Sequence, residues 1–309
     1  MKLKHIISTR QFLDRKILKE IFDLADNFCK QDKSGKQIKI LNGKILGTVF
    51  YEPSTRTRFS FESAMFKLGG QVISTESAGH FSSAIKGETL EDSIKIIGGY
   101  TDVIVLRHPE SGSVAKAADV SAVPIINAGD GSGEHPTQAL LDLYTIRKEL
   151  NKIDNLNVAL VGDLLYGRTV HSLIHLFSVC KNIKIFLVSP KELKLPNEYI
   201  SFLKQNNIIF QECEKLDEIL PCIDVLYVTR VQKERFKSQT LYNKIKKSFT
   251  IDKNTLLSLN KNAVIMHPLP RVTEISPEVD KDKRAAYFRQ AQNGLYIRMA
   301  MLKIVTLKK

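Results

Sequence analysis

A chain of 309 residues is longer than one hydrophobic core ordinarily serves, so two domains of about 150 residues are expected. Its 43% hydrophobic and 26% charged residues suit a soluble globular protein, no apolar run approaches the ~18 residues of a membrane span, and Met1-Lys2-Leu3-Lys4-His5 leads into no signal-peptide core, so a cytoplasmic protein without membrane contact is expected. The net charge of +13 raises nucleic acid as a partner, but the lysines are dispersed and no basic groove with interleaved aromatics is evident, so no nucleic acid is expected and the charge is read as a solvated surface that draws small anions.

The chain opens with one or two helices, read from a helical period between Gln11 and Lys30 carried by Phe12, Ile17, Ile21, Leu24, Ala25 and Phe28. The apolar run Ile45–Tyr51 then reads as a buried parallel strand. It turns at Glu52-Pro53 into Ser54-Thr55-Arg56-Thr57-Arg58, where a helix begins that has Phe61, Met65 and Leu68 on one face and stops at Gly69-Gly70. Three hydroxyls, two guanidinium groups and the unpaired amides of a first helical turn meet there, which is the chemistry of a site for phosphate or another compact oxyanion. Arginine in a first turn opposes the helix dipole at a cost of roughly a few tenths of a kcal/mol, and a bound anion reverses that cost. The alternative is an ordinary Ser/Thr cap with solvated arginines.

Further strands are expected at Gln71–Thr75, Val103–Arg107 and Pro124–Asn127, with helices near Thr89–Ile97 and Ser113–Val120. Strands alternating with helices predict a parallel, doubly wound sheet whose ligands gather beyond the C-terminal strand ends. Ser77–Glu88 is a polar, small-residue loop without period, either a linker or a mobile functional segment. Val103–Leu106 ends in Arg107, at the mouth of that sheet. The turn-rich Gly129–Glu134 delivers His135-Pro136-Thr137-Gln138 to a helix running to about Leu150, and Pro136 suits its first position. A lone histidine is more often structural than catalytic, yet at a helix N-terminus the dipole disfavours the imidazolium and leaves a neutral N–H donor.

Parallel strands recur at Val158–Val161, Lys184–Val188, Ile208–Gln211, Val225–Val228 and Ala263–Met266. Gly162–Thr169 is a near miss to the nucleotide phosphate loop in the right strand-to-helix context, but Arg168 replaces the lysine and Asp163-Leu164-Leu165-Tyr166 lacks the small residues that let amides wrap a phosphate. Beyond Val228, Arg230 and Gln232 alternate on one side of an extended chain, which suits a bidentate carboxylate contact. In His267-Pro268-Leu269-Pro270-Arg271 the prolines remove N–H donors and leave carbonyls facing outward. One amphipathic helix, about Arg284–Thr306, closes the chain. Cys29, Cys180, Cys213 and Cys222 have neither CxxC spacing nor a histidine cluster, so free, mostly buried thiols are expected, with no metal and no cofactor.

The string Tyr51-Glu52-Pro53-Ser54-Thr55-Arg56-Thr57-Arg58-Phe59-Ser60-Phe61-Glu62 resembles the carbamoyl-phosphate loop of the aspartate and ornithine carbamoyltransferases, and His135-Pro136-Thr137-Gln138 matches the same family. The resemblance runs from the first strand to the last helix. It implies that Ser54, Thr55, Arg56, Thr57 and Arg107 hold the phosphate, that Thr57, Arg107 and His135 donate to the carbamoyl oxygen, that Gln138 contacts the carbamoyl group, and that the Leu269 and Pro270 carbonyls accept from its NH2. It further implies that Arg168 clamps the amino-acid carboxylate beside Arg230 and Gln232, and that Ser82 and Lys86 reach in from a neighbouring subunit. Glu52, Arg168 and Arg235 match bridging positions of the family's closed form.

Ornithine carbamoyltransferases carry His-Cys-Leu-Pro where this chain has His267-Pro268-Leu269-Pro270, and they lack the string at Arg230–Arg235. Two carboxylates entering a closed site need cationic partners, which Arg168, Arg230 and Lys86 supply, so aspartate is the expected second substrate beside carbamoyl phosphate. The product is then N-carbamoyl-L-aspartate for pyrimidine synthesis. The family usually has Asp at the position of Thr273, which leaves the local contacts of that loop open. The expected architecture is an α/β fold of two doubly wound parallel-sheet domains joined by interdomain helices, with the active site in the cleft. Residues 1–135 plus 290–309 form the carbamoyl-phosphate domain and residues 136–289 the aspartate domain. A shared site implies a homotrimer, and zinc-containing regulatory chains are a further partner that the resemblance allows. Competing readings are a kinase using Gly162–Thr169 and a basic nucleic-acid-binding protein; neither accounts for all the matching motifs.

Overall fold

The computed structural model describes residues 3–78, 87–131, 133–231 and 249–307. The expectations for Ser82, Lys86, Gln232 and Arg235 lie outside the described residues. The chain divides into two compact units, Met1–Leu141 with Gln292–Lys309, and Asp142–Ala291.

In the first unit the helical period from Gln11 is split in two. Ser8 and Gln11 form a capping box on a 3-10 turn, Thr9–Phe12, and the helix proper, α1 (Arg15–Lys33), starts only where the Asp14 carboxylate accepts from the Lys16 amide. Leu18, Ile21, Phe22, Ala25 and Phe28 form its buried stripe. There follow β1 (Ile45–Phe50), α2 (Thr55–Lys67), β2 (Gln71–Glu76), α3 (Leu90–Gly98), β3 (Val103–His108), α4 (Ser113–Val120), β4 (Ile125–Asp130) and α5 (Pro136–Leu150). All pairings are parallel and the order is β2-β1-β3-β4. Val49, Ile104, Leu106 and Ile125 from the sheet pack on Ile94, Val114 and Ala117 from the helices. The central strands β1 and β3 are buried over most of their length, β3 until it reaches Arg107, which is the pattern of a parallel sheet covered on both faces.

The second unit carries β5 (Leu156–Val161), α6 (Arg168–Phe177), β6 (Ile183–Val188), α7 (Asn197–Gln205), β7 (Ile209–Cys213), β8 (Val225–Val228), α8 (Lys253–Ser258) and β9 (Val264–Met266), and α9 (Tyr287–Thr306) starts in it and ends in the first unit. Its parallel sheet runs β7-β6-β5-β8-β9. The last helix begins three residues later than its period suggests, because the Ala286 amide is drawn into a bridge with the Ile265 carbonyl at 2.8 Å. The unit boundary falls inside α5 and α9.

The strand orders decide where chemistry is placed. In the first sheet the winding reverses between β1 and β3, and in the second between β5 and β8. The carboxyl ends of those pairs are the positions where a doubly wound sheet opens a crevice. The thiols depart from expectation: none is in a disulfide, but only Cys29 is buried and Cys222 is exposed, because it sits on a short turn before β8 instead of in a core. Among the described residues no helix is long and apolar enough to cross a membrane, and no cluster of His, Cys, Asp and Glu has metal-binding geometry.

Candidate active site

At the first switch point, β1 leaves through Tyr51 and Glu52 into α2, and β3 leaves through Arg107, which is paired in register with Phe50. Ser54 occupies the N-cap of α2 but its hydroxyl makes no capping hydrogen bond, and the first turn holds no acidic residue. An ordinary capping serine would spend its oxygen on the helix amides. Here the Ser54 backbone N–H donates instead to Glu76 Oε1 at 3.1 Å, which holds the turn from behind. Thr57 is buried, whereas Thr55 and Arg56 face outward.

Arg107 is largely buried. Its Nη2 lies 3.2 Å from Glu52 Oε2, its Nη1 reaches the Ala128 carbonyl at 3.4 Å, and its Nε is buried without a partner. Burial lowers its pKa, and Glu52 offsets part of that shift. Burial also lowers the pKa of Arg56, followed by the positive charge of Arg107. Two partly desolvated cations against one carboxylate leave the turn one positive charge in excess, and an anion relieves that imbalance.

Arg58 corrects the sequence reading. Its guanidinium is turned back onto Glu76 Oε2 at 3.1 Å and Ser74 Oγ at 3.2 Å, with Glu62 at 3.9 Å, so the second guanidinium of the motif braces α2 against β2 and does not join the anion turn.

His135 and Gln138 open α5 and are both buried. The His135 carbonyl accepts from the Gln138 and Ala139 amides, and its Nδ1 lies 3.3 Å from Thr137 Oγ1. Glu134 fixes the approach by accepting from Ser8 Oγ at 2.7 Å and from the Thr9 amide. His108 packs its ring 4.7 Å from that of Tyr51 and accepts from the Glu110 amide, the role of a structural neighbour.

At the second switch point, β5 ends in Gly162 with φ +110°, where a Cβ would meet the Thr229 carbonyl oxygen at 2.4 Å; only glycine fits. The loop that resembles a nucleotide cradle has already committed several of its amides. Gly162 N–H donates to Val188, Leu164 N–H to Leu193, Asp163 N–H to Thr229 Oγ1 and Tyr166 N–H to the buried Asp163 carboxylate at 2.9 Å. A phosphate loop needs those donors free. What the loop delivers is Arg168, the first residue of α6. One turn on, His171 Nε2 bonds the Leu164 carbonyl at 2.8 Å, its ring stacks on Tyr199, and burial lowers its pKa from 6.5. From β8, the buried Thr229 leads to half-buried Arg230.

Beyond β9, Leu269 adopts φ +55° and the Leu269-Pro270 bond is cis. His267 is buried: Nδ1 accepts from the Leu269 amide at 2.8 Å and Nε2 faces Glu274 Oε1 at 2.9 Å. Burial raises the Glu274 pKa, but hydrogen bonding to His267 and to loop amides outweighs it and holds the carboxyl below its usual range. Its Oε2 accepts from the Val272 and Thr273 amides, so the loop left open at Thr273 is organised by Glu274 and needs nothing from the exposed Thr273 side chain.

Two family profiles cover most of the chain: "Aspartate/ornithine carbamoyltransferase, carbamoyl-P binding domain" matches residues 4–148, and "Aspartate/ornithine carbamoyltransferase, Asp/Orn binding domain" matches residues 154–305. The chain belongs to the aspartate/ornithine carbamoyltransferase family. Within that family, the chloroplastic aspartate carbamoyltransferase of Arabidopsis thaliana is 52% identical over 98% of this chain and 78% of that protein. The catalytic subunit of Methanocaldococcus jannaschii aspartate transcarbamoylase superposes with a TM-score of 0.92 at 51% identity, over 98% of both chains. Aspartate transcarbamoylase from Trypanosoma cruzi, solved with carbamoyl phosphate and aspartate, gives 0.92 at 41% identity, over 98% of this chain and 97% of that one.

Sequence reasoning missed the carboxylates that hold this carbamoyltransferase fold's loops in place, Glu76, Glu134, Asp163 and Glu274. Only Glu274 leaves a trace in the sequence, as an acid seven residues after His267.

Proposed function

We infer that the chain transfers the carbamoyl group of carbamoyl phosphate to the amine of L-aspartate, giving N-carbamoyl-L-aspartate and phosphate, a step of pyrimidine synthesis. The observation that carries this reading is the pairing of arginines with switch points: Arg56 and Arg107 at the first, Arg168 and Arg230 at the second. One set suits a phosphate dianion and the other a dicarboxylate, and transfer requires both sets to act on the same pair of molecules.

In this reading Ser54, Thr55, Arg56, Thr57 and Arg107 bind the phosphate. Thr57, Arg107 and His135 donate to the carbamoyl oxygen, on which charge builds as the amine attacks the carbonyl carbon. Gln138 and the Leu269 and Pro270 carbonyls orient the carbamoyl NH2. Arg168, Arg230 and Gln232 grip the aspartate carboxylates, with Ser82 and Lys86 contributed by a neighbouring subunit of a homotrimer. The bond from the carbamoyl carbon to the phosphate oxygen breaks with its electron pair on phosphate, and phosphate takes the proton that the amine loses. Orientation of the two anions supplies roughly 7–11 kcal/mol of barrier reduction. No metal or cofactor enters, and the cytoplasm is the proposed compartment.

The test is carbamoyl transfer followed by carbon-13 NMR of labelled carbamoyl phosphate. A ureido carbon on aspartate, formed one for one with phosphate, supports the reading; aspartate-independent phosphate release overturns it. Sedimentation at the mass of three chains supports the trimer, and a monomer with full activity overturns the shared site.

A further inference from the structure

Three segments of the second unit that this reading puts against substrate leave the sheet at different strands: Arg168 after β5, Arg230 after β8, and Leu269-Pro270 after β9. One buried polar network reaches the root of each. Asp142, wholly buried on α5, accepts from the Tyr227 hydroxyl at 2.7 Å on one oxygen and from Gln290 Nε2 at 2.6 Å on the other. Tyr227 lies in β8 three residues before Arg230, and its hydroxyl also hydrogen-bonds the side chain of Thr169, the neighbour of Arg168. The other end of the Gln290 amide accepts the His267 backbone N–H at 2.9 Å, and His267 Nδ1 in turn accepts from Leu269.

Because both Asp142 oxygens accept, the direction of each bond follows. Tyr227 points its proton at Asp142, and Gln290 turns its NH2 inward and its oxygen toward His267. Groups this deeply buried lose their desolvation free energy if unpaired, so the alternatives to this one arrangement are costly. The network is therefore a rigid common reference for three loops that no other described contact joins together in this way.

We propose that Asp142, Tyr227 and Gln290 are positioning residues that set the mutual register of Arg168, Arg230 and the Leu269-Pro270 carbonyls, and through it the affinity for the amino-acid substrate. None of the three touches substrate in this reading. The proposal rests on the proposed function only for the identity of that substrate.

Two variants test it, Asp142→Asn, which keeps shape but replaces an acceptor by a donor, and Tyr227→Phe, which keeps the ring and the core volume. Each is expected to raise the KM for aspartate about tenfold while the KM for carbamoyl phosphate stays within about twofold. The double variant is expected to be no worse than the poorer single one, since both act through one network. Amide hydrogen exchange provides a readout independent of activity: the His267 and Leu269 amides exchange about tenfold faster in either variant, while amides of β4 do not change. Unchanged exchange at His267 and Leu269 overturns the network, as does an equal shift in both KM values or a multiplicative double variant. Faster exchange in a protein that never carbamoylates aspartate keeps the network and defeats the functional reading instead. Where Asp142→Asn does not fold, Tyr227→Phe carries every arm.

Discussion

Replacing Arg107 by alanine separates anion binding from folding. Arg107 is only 14% exposed, but Glu52 is 34% exposed and keeps much of its water, so the pair contributes about 1 kcal/mol to stability. Its contribution to a phosphate dianion is larger. Two charge-assisted hydrogen bonds from one guanidinium, at about 1.5–3 kcal/mol each, amount to about 3–6 kcal/mol. At about 1.4 kcal/mol per factor of ten, the KM for carbamoyl phosphate should rise on the order of 10²–10⁴-fold in Arg107→Ala. The orphaned Glu52 carboxylate then repels the dianion, so adding Glu52→Ala should recover about tenfold. Initial rates over a range of carbamoyl phosphate, with a circular-dichroism melt of each variant, read both quantities. A KM within about threefold of wild type, together with a melting point lowered by more than about 5 °C, would show that Arg107 serves the fold and refute the reasoning.

In the wild-type background, Glu52→Ala is expected to weaken aspartate saturation more than carbamoyl-phosphate binding, and equal losses in two-substrate kinetics would remove its bridging role. Glu274 has a folded pKa below its ordinary 4.5, so the unfolded chain binds more protons there; the stability this group supplies is complete above pH 4.5 and is lost as pH falls through the folded value. Thermal melts from pH 7 to pH 3 should therefore show the gap between wild type and Glu274→Gln narrowing toward acid; a constant gap contradicts this. Gly162→Ala forces a Cβ onto the Thr229 carbonyl at positive φ, which should cost about 2 kcal/mol or more in urea unfolding; a loss under about 0.5 kcal/mol would contradict the strain argument. ATP at millimolar concentration should leave the melting point unchanged, since the Gly162, Asp163, Leu164 and Tyr166 amides are already bonded; a nucleotide-dependent rise would reopen the kinase reading.

Local signals carried well from sequence to structure. The strand, turn and helix around Ser54 follow from an apolar run, a proline and glycine stops, and the observed α2 spans Thr55–Lys67. The alternation of strands and helices was enough to predict two parallel sheets. What failed did so through tertiary contacts. The last helix starts late because Ala286 is held by Ile265, and Arg58 leaves its motif because Glu76, remote in sequence, attracts it. The Asp142 network joins residues 85 and 148 positions apart, and no spacing rule reaches that far.

The central claim is that four arginines serve one reaction between carbamoyl phosphate and a dicarboxylate amine. Offering the enzyme carbamoyl phosphate with aspartate and ornithine at equal concentrations, and resolving the two ureido products, tests it most directly. The account predicts N-carbamoyl-L-aspartate in at least about 10³-fold excess, in keeping with a site whose paired cations would be left unmatched by ornithine's second amine. Comparable amounts of the ornithine product, or no transfer to either amine, would contradict it.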